Sequence, residues 1–138
     1  MYDRILLAVD HSEMSRRAVI AARELAKLSD GEIWVLHLRE RETGVRKVSI
    51  MDETVDDANA VVRAALEVLT DAGVKAQGEV RNTAYGYAAR EIAGDAKDHD
   101  ADVIVMGSRG RGDLAGLVLG STVHKVIHLA DRPVLVIR

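Results

Sequence analysis

The chain alternates between short apolar runs and longer segments in which apolar residues recur every three or four positions. The apolar runs are predicted strands, and they comprise Ile5–Val9, Ile33–Leu38, Val74–Val80, Val103–Met106 and Val134–Ile137. All but Val74–Val80 are nearly free of polar residues, which is typical of parallel strands buried on both faces. The mixed polarity of Val74–Val80 places this strand nearer an edge of the sheet.

The segments between the strands have helical spacing. The predicted helices run from Ser12 to Leu28, from Asp52 to Ala72, from Ala84 to Asp98 and from Ser121 to Leu129. Ser12 or Ser15 is suited to cap the first helix, and glycines follow the first and second helices. The order βαβαβαβαβ predicts an α/β fold with a five-stranded parallel sheet and helices on both faces. Arg39–Ile50 is charged and aperiodic, which indicates a surface loop.

Composition narrows the function classes. The 138 residues predict one domain spanning 1–138, and the net charge of −3 gives no electrostatic reason for a nucleic-acid partner. Aromatic residues make up 3% of the chain, too few for base-stacking surfaces, and there is no cysteine for disulfides or thiolate metal sites. No apolar run is long enough to span a membrane, and a strand begins where a secretory leader would lie. We therefore expect a cytoplasmic protein without a membrane partner.

A glycine-rich loop joins the fourth strand to the last helix. Ligands of parallel sheets bind beyond the carboxyl ends of strands, and glycines let a backbone approach a phosphate closely. Gly120, Ser121 and Thr122 open the last helix, whose N–H groups favour an anion, and Arg109 and Arg111 add positive charge. Spacing alone leaves two interpretations open, a phosphate site or a surface loop whose glycines only turn the chain.

Named phosphate motifs do not describe this loop. No Gly-Lys-Ser/Thr follows the glycines, so the Walker pattern is absent. Gly110–Ala115 imitates a dinucleotide fingerprint but lacks a complete βαβ unit after it. The Arg111–Asp113 tripeptide resembles an adhesion motif, which carries little weight without an export signal.

The whole chain resembles the universal stress protein family, of the small single-domain kind. The family's ATP-binding pattern, G-2x-G-9x-G-[ST], is matched by Gly107, Gly110, Gly120 and Ser121. Further agreement comes from residues 5–12, 35–38 and 132–138. The resemblance implies strand order 3-2-1-4-5, an adenine nucleotide alpha-hydrolase-like fold, and binding of ATP, or in some members AMP or cyclic AMP.

The resemblance also assigns residues to parts of the nucleotide. It implies that ribose and phosphates contact Gly107, Gly110, Gly120, Ser121 and Thr122, with Ser108, Arg109 and Val123 as neighbours in the loop. Ala8, Val9 and Asp10 would meet the adenosine end, Leu38 would pack on adenine, and Met106 would flank the nucleotide. Asp113 stands where many members have a small residue, and its carboxylate would repel a triphosphate unless it faced away or met a metal.

Several polar residues permit two interpretations. Asp10 would contact the nucleotide or its Mg²⁺, or it would cap the helix that follows. His37 is expected to be a packed strand histidine. His124 and His128 share a helix face, but a metal site there would need a third ligand such as Asp131.

The resulting hypothesis is an ATP-binding regulatory module with slow or no hydrolysis, because no evident base would activate water. The alternatives are a small ATPase or nucleotide-transfer enzyme, an AMP or cyclic AMP binder, and an interaction protein with a vestigial loop. The strand within Pro133–Ile137 would need cover at a sheet edge, and family members commonly pair it across a two-fold axis. We therefore expect a homodimer.

Overall fold

The computed structural model describes residues 1–41, 53–110 and 119–138. Strands and helices alternate along the described chain. Their order is β1 (Arg4–Ala8), α1 (Glu13–Ser29), β2 (Glu32–Arg41), α2 (Val55–Asp71), β3 (Lys75–Ala84), α3 (Ala88–Asp98), β4 (Val103–Gly107), α4 (Ser121–Leu129) and β5 (Val134–Ile137).

The strands form a parallel sheet in the order β3-β2-β1-β4-β5. This confirms the predicted fold class and strand order, including the edge position of the mixed strand. The chain winds outward from β1 in one direction and then crosses back to β4. The segments that follow the neighbouring strands β1 and β4 therefore lead to opposite faces of the sheet. This is the switch point, where ligands of such folds bind.

Alternating side chains of the sheet fill two cores. Leu7 and Val35 pack toward α1 and α2, where Leu69 is fully buried. Leu6 and Leu36 pack toward α3 and α4 on the opposite face. Each fully buried leucine contributes roughly 1.5–3 kcal/mol to folding, so both faces of the sheet stabilise it.

Local capping defines the helix ends that position the site. The Ser12 side chain accepts a hydrogen bond from Ser15 N at 3.1 Å, which makes Ser12 the N-cap of α1. Asp30 ends this helix in the left-handed region at φ 53°. Thr54 and Asp57 form a reciprocal capping box at the start of α2, and Gly73 follows that helix with φ +78°.

Three predicted boundaries are wrong. β3 continues to Ala84 rather than ending at Val80. Arg39–Arg41 belong to β2 rather than to a loop, because they pair with Asn82–Ala84 of a longer β3. The third helix begins at Ala88 rather than Ala84, since Gly86 turns the chain at φ +85°. The rest of the predicted loop, and Asp52 at the expected start of the second helix, lie outside the described residues.

Within the described ranges, the helices are too short or too polar to cross a membrane.

Candidate functional site

A cleft of about 450 Å³ opens at the carboxyl ends of β1, β2 and β4, on the face covered by α3 and α4. Twelve predicted site residues line it: Ala8, Val9, Asp10, Leu38, Met106, Gly107, Arg109, Gly110, Gly120, Ser121, Thr122 and Val123. The volume lies within the roughly 300–1,000 Å³ usual for small-molecule sites. Residues far apart in the chain thus meet around one cavity.

Ser108 is the predicted site residue that does not line the cleft. It is buried, with 2% of its surface exposed. Its backbone N–H donates to Ile137 O at 2.7 Å, and its carbonyl accepts from Gly120 N at 2.7 Å. These bonds bring the two ends of the glycine-rich loop together and attach them to β5.

The amino end of α4 faces into the cleft through the backbone of Gly120, Ser121 and Thr122. Gly120 is the N-cap, and no side chain in the described ranges caps this end. The first intrahelical bond is donated by His124 N to Gly120 O, so the N–H groups of the first turn have no carbonyl within the helix to bind. Together with the helix dipole they favour an anion, and Lys125 adds a cation to the same cleft.

Part of the cleft lining is apolar. Leu36 and Leu38 come from β2, Met106 comes from β4, and Ala89 and Ile92 come from α3. These side chains offer a flat ligand an apolar surface in the same cleft as the α4 N-terminus. The cleft can therefore hold a molecule with an apolar ring at one end and negative charge at the other.

Asp10 takes part in the turn that connects β1 to α1. Its Oδ1 accepts from Ser12 N at 2.7 Å, and its own N–H donates to Ser15 Oγ at 2.8 Å. Ser12 Oγ in turn donates to Arg109 O at 3.3 Å. These bonds support the interpretation that Asp10 stabilises the start of α1. The same turn holds Asp10 and Arg109 at the cleft.

Gly107 has a packing role besides its position at the cleft. A Cβ added there would lie 2.8 Å from the backbone carbon of Met14 in α1. Such a contact is closer than atoms normally allow, so β4 and α1 could not keep their present spacing. This glycine is needed for the helix to lie against the strand.

Sequence reasoning missed ten residues that line the cleft: Ser12, Ser15, Leu36, Glu40, Tyr85, Gly86, Ala88, Ala89, Ile92 and Lys125. Two of them carried a usable signal. Leu36 is two residues before Leu38 on the same strand face, and Lys125 is four residues after Ser121 on the same helix face. Arg111 and Asp113 lie outside the described residues.

A larger cavity, of about 630 Å³, lies at the opposite end of the sheet beside Arg4, Glu32 and Lys75. These residues stand at the amino ends of the strands, whereas parallel sheets bind ligands at the carboxyl ends. No glycine-rich loop or helix N-terminus contributes to its described lining. The smaller cleft is therefore the better candidate site.

Comparisons with known proteins agree on one family. The model of the Universal stress protein family matches residues 1–138. Universal stress protein YxiE of Bacillus subtilis is 36% identical over 150 residues, covering 100% of both chains.

Solved structures share the fold. The structure of MJ0577, a universal stress protein of Methanocaldococcus jannaschii, superposes with a TM-score of 0.82 at 26% identity, covering 99% of this chain and 96% of the other. The universal stress protein from Archaeoglobus fulgidus in complex with dAMP gives a TM-score of 0.75 at 25% identity, covering 99% and 98%.

Proposed function

The chain belongs to the universal stress protein family, and on that premise we propose that it is a regulatory protein that binds ATP, with Mg²⁺, in the cleft described above. One observation carries the proposal: the cleft joins apolar side chains to a helix N-terminus that no described side chain caps. An adenine nucleotide has the complementary shape and charge, since its base is flat and its phosphates are anionic.

The proposed pose follows from the lining. Adenine would pack against Leu38 and Met106, close to the ends of β2 and β4. The phosphates would lie against the backbone at Gly110, Gly120 and Ser121, where N–H groups and the α4 dipole offset their charge. The dAMP complex of the Archaeoglobus relative supports an adenine nucleotide as the ligand class.

Mg²⁺ would accompany a triphosphate and keep several waters, as it does in other nucleotide sites. Asp10 is the predicted contact for this ion, directly or through water. The Arg109 and Lys125 side chains at the cleft supply further positive charge. A triphosphate would therefore be bound mainly by backbone groups, the helix dipole and the cation rather than by one side chain.

We further propose that the protein hydrolyses ATP slowly or not at all. The carboxylates in the described cleft lining are those of Asp10 and Glu40. Backbone N–H groups bind both, Ser12 N to Asp10 Oδ1 at 2.7 Å and Gly86 N to Glu40 Oε2 at 3.1 Å. These bonds give both carboxylates a structural role in holding the backbone around the cleft. Rapid turnover that Asp10→Asn abolished would instead indicate an ATPase.

Calorimetry with ATP and Mg²⁺ tests the proposal directly. We expect one nucleotide per chain, and parallel titrations with AMP and cyclic AMP would rank the ligands. Gly120→Val would place a branched side chain among the phosphates and should weaken ATP binding at least about tenfold, a loss of roughly 1.4 kcal/mol.

Gly94→Ala is the matched control, because Gly94 is exposed on α3 and a Cβ there meets nothing within 4 Å. It should bind ATP like the wild type. An absence of heat at millimolar ATP would exclude the proposed function. Unchanged affinity in Gly120→Val would show that the nucleotide lies elsewhere.

The proposed assembly is a homodimer formed through β5. This strand is at one edge of the sheet, and Leu135 in it is 39% exposed. An exposed edge with apolar side chains favours pairing with another strand. A second copy of β5 across a two-fold axis would satisfy the outward N–H and C=O groups of both copies.

A further inference from the structure

Two histidines and a glutamate meet on the sheet face opposite the nucleotide cleft. His11 Nε2 lies 2.6 Å from Glu53 Oε1, and His37 Nε2 lies 2.7 Å from the same oxygen. His37 alternates along β2 with the cleft residues Leu36 and Leu38, so its side chain points toward the α1 and α2 face. Among the described residues, these are the three histidine, cysteine, aspartate or glutamate side chains whose ligand atoms all lie within 4.8 Å of one another.

Hydrogen bonding determines which nitrogen of His37 carries a proton. His37 Nδ1 lies 2.7 Å from Val9 O, and a carbonyl oxygen only accepts. Nδ1 therefore donates, and in the neutral imidazole Nε2 presents a lone pair. That lone pair faces Glu53 Oε1, which is also an acceptor when ionised. Two acceptor atoms at this distance repel each other unless a proton or a metal ion lies between them.

Among the described residues, two nearby arginines bind other atoms of this group. Arg39 Nε donates to the backbone carbonyl of Glu53 at 2.7 Å, and an Arg16 NH group donates to the backbone carbonyl of His11 at 3.4 Å. Both guanidinium groups thus bind main-chain oxygens of the cluster. These bonds hold the segments that carry His11 and Glu53, while the ring nitrogens and the carboxylate face one another.

We propose that His11 Nε2, His37 Nε2 and Glu53 Oε1 bind a Zn²⁺ ion. Two imidazoles and a carboxylate are a donor set that zinc prefers, with water as the fourth ligand. The bond from His37 Nδ1 to a backbone carbonyl is the outer contact that orients most metal-binding histidines. The side chains of His37, Glu53 and His11 are 5%, 16% and 29% exposed, so the ion would be partly shielded from bulk water.

The cluster needs only a small adjustment to admit the ion. Zinc bonds of about 2.0–2.1 Å with tetrahedral angles place two ligand atoms about 3.3 Å apart. The nitrogens now lie 2.6 and 2.7 Å from Glu53 Oε1, so these contacts would lengthen by about 0.6–0.7 Å. The two nitrogens lie within 4.8 Å of each other and would settle at a similar spacing. His11 precedes α1 and Glu53 precedes α2, so neither is part of a helix or strand that would resist this movement.

The test is a zinc titration of tag-free, nucleotide-free protein against a chromophoric chelator. We expect one Zn²⁺ per chain with a dissociation constant of about 1 µM or tighter. Glu53→Gln keeps the shape of the side chain but removes its charge, and His11→Gln removes one nitrogen donor. Each variant should weaken zinc binding at least tenfold.

His124→Gln is the matched control. His124 and His128 form a second histidine pair on α4, with ring centroids 4.7 Å apart and both residues exposed. Zinc affinity should be unchanged in this variant. Loss of binding in His124→Gln, with normal binding in Glu53→Gln, would place the ion on α4 and overturn the proposal. Wild-type protein that bound no stoichiometric zinc at micromolar concentration would also overturn it.

NMR of the imidazole nitrogens provides a test without substitutions. The proposal predicts that His37 keeps its Nδ1 proton when zinc is added and that its Nε2 resonance shifts to a metal-bound value. An unshifted His37 Nε2 at saturating zinc would exclude this site. The proposal does not depend on nucleotide binding, so either can fail while the other holds.

Discussion

Asp95 is a buried carboxylate on α3 that joins two strands to the helix. Its side chain is 2% exposed, and it accepts hydrogen bonds from Trp34 Nε1 at 2.9 Å and from an Arg81 NH group at 2.7 Å. Burial opposes the charge of Arg81, but hydrogen bonds to Asp95 and Glu79 outweigh it and raise the pKa of Arg81 above its usual value. Asp95 therefore links α3 to Trp34 of β2 and to Arg81 of β3.

Replacing Asp95 with alanine should destabilise the protein by about 1–3 kcal/mol, because the partly buried Trp34 N–H would lose its acceptor. Arg81 is about one-third exposed and also contacts Glu79 and Glu91, so the loss of its ion pair with Asp95 should add little to the destabilisation. Urea unfolding followed by Trp34 fluorescence measures the change. Asp98→Ala, at an exposed position of the same helix, should change stability by less than about 0.5 kcal/mol. Equal effects of the two substitutions would contradict this role.

Residues on continuous patterns were the predictable part of the site. The glycine spacing pointed to the loop, and the family resemblance placed strand ends such as Ala8–Asp10 and Met106 at the cleft. Glu40 and Tyr85 could not, because their positions depend on how far β2 and β3 extend together. The His11–Glu53 contact was equally hidden, since it joins two positions 42 residues apart that share no motif.

At the scale of the element, strand lengths were harder to predict than strand positions. β2 and β3 each have 10 residues, and their pairing continues from Glu32–Lys75 to Arg41–Ala84. The carboxyl-terminal halves of β2 and β3 contain charged residues such as Arg39 and Arg81, which lack the apolar pattern of a buried strand. Backbone pairing stabilises these residues as strand, and pairing between distant segments is not visible in local composition.

The α3 helix contains a glycine that limits its stability. Gly94 is exposed in the middle of the helix, and a Cβ added there has no neighbour within 4 Å. Gly94→Ala should therefore stabilise the protein by about 0.5–1 kcal/mol, because alanine loses less backbone entropy in a helix. The midpoint of urea unfolding should rise while its slope stays constant. A lower midpoint would show that this position of α3 has a packing constraint that the fold does not reveal.

At the scale of the whole molecule, the switch in strand order places the two proposed sites near each other on opposite faces. Val9 lines the nucleotide cleft, and its carbonyl oxygen accepts the hydrogen bond from His37 Nδ1. The carboxyl end of β1 therefore contributes to both. The order of the strands, which the family resemblance predicted, is what makes this end of β1 accessible from either face.

The orientation of the β5 backbone determines how two copies would pair. Pro133 O accepts from Ile104 N at 2.9 Å, and Ile137 O accepts from Ser108 N at 2.7 Å. Since backbone groups alternate sides along a strand, those of Val134 and Val136 point away from β4, toward the outer edge. An outer strand that bonded to this edge would depend on the N–H of Val136.

Val136→Pro should therefore convert the proposed dimer into a monomer. Proline removes the outward N–H, keeps an extended backbone and leaves the bonds from β5 to β4 intact, as edge strands permit. Val136→Ala is the matched control, because it shortens the same side chain but keeps the N–H. Sedimentation at micromolar concentration should show dimers for the wild type and Val136→Ala, and monomers for Val136→Pro with similar circular dichroism. A folded Val136→Pro dimer would show that the subunits associate through a different surface, and a monomeric wild type would exclude the dimer itself.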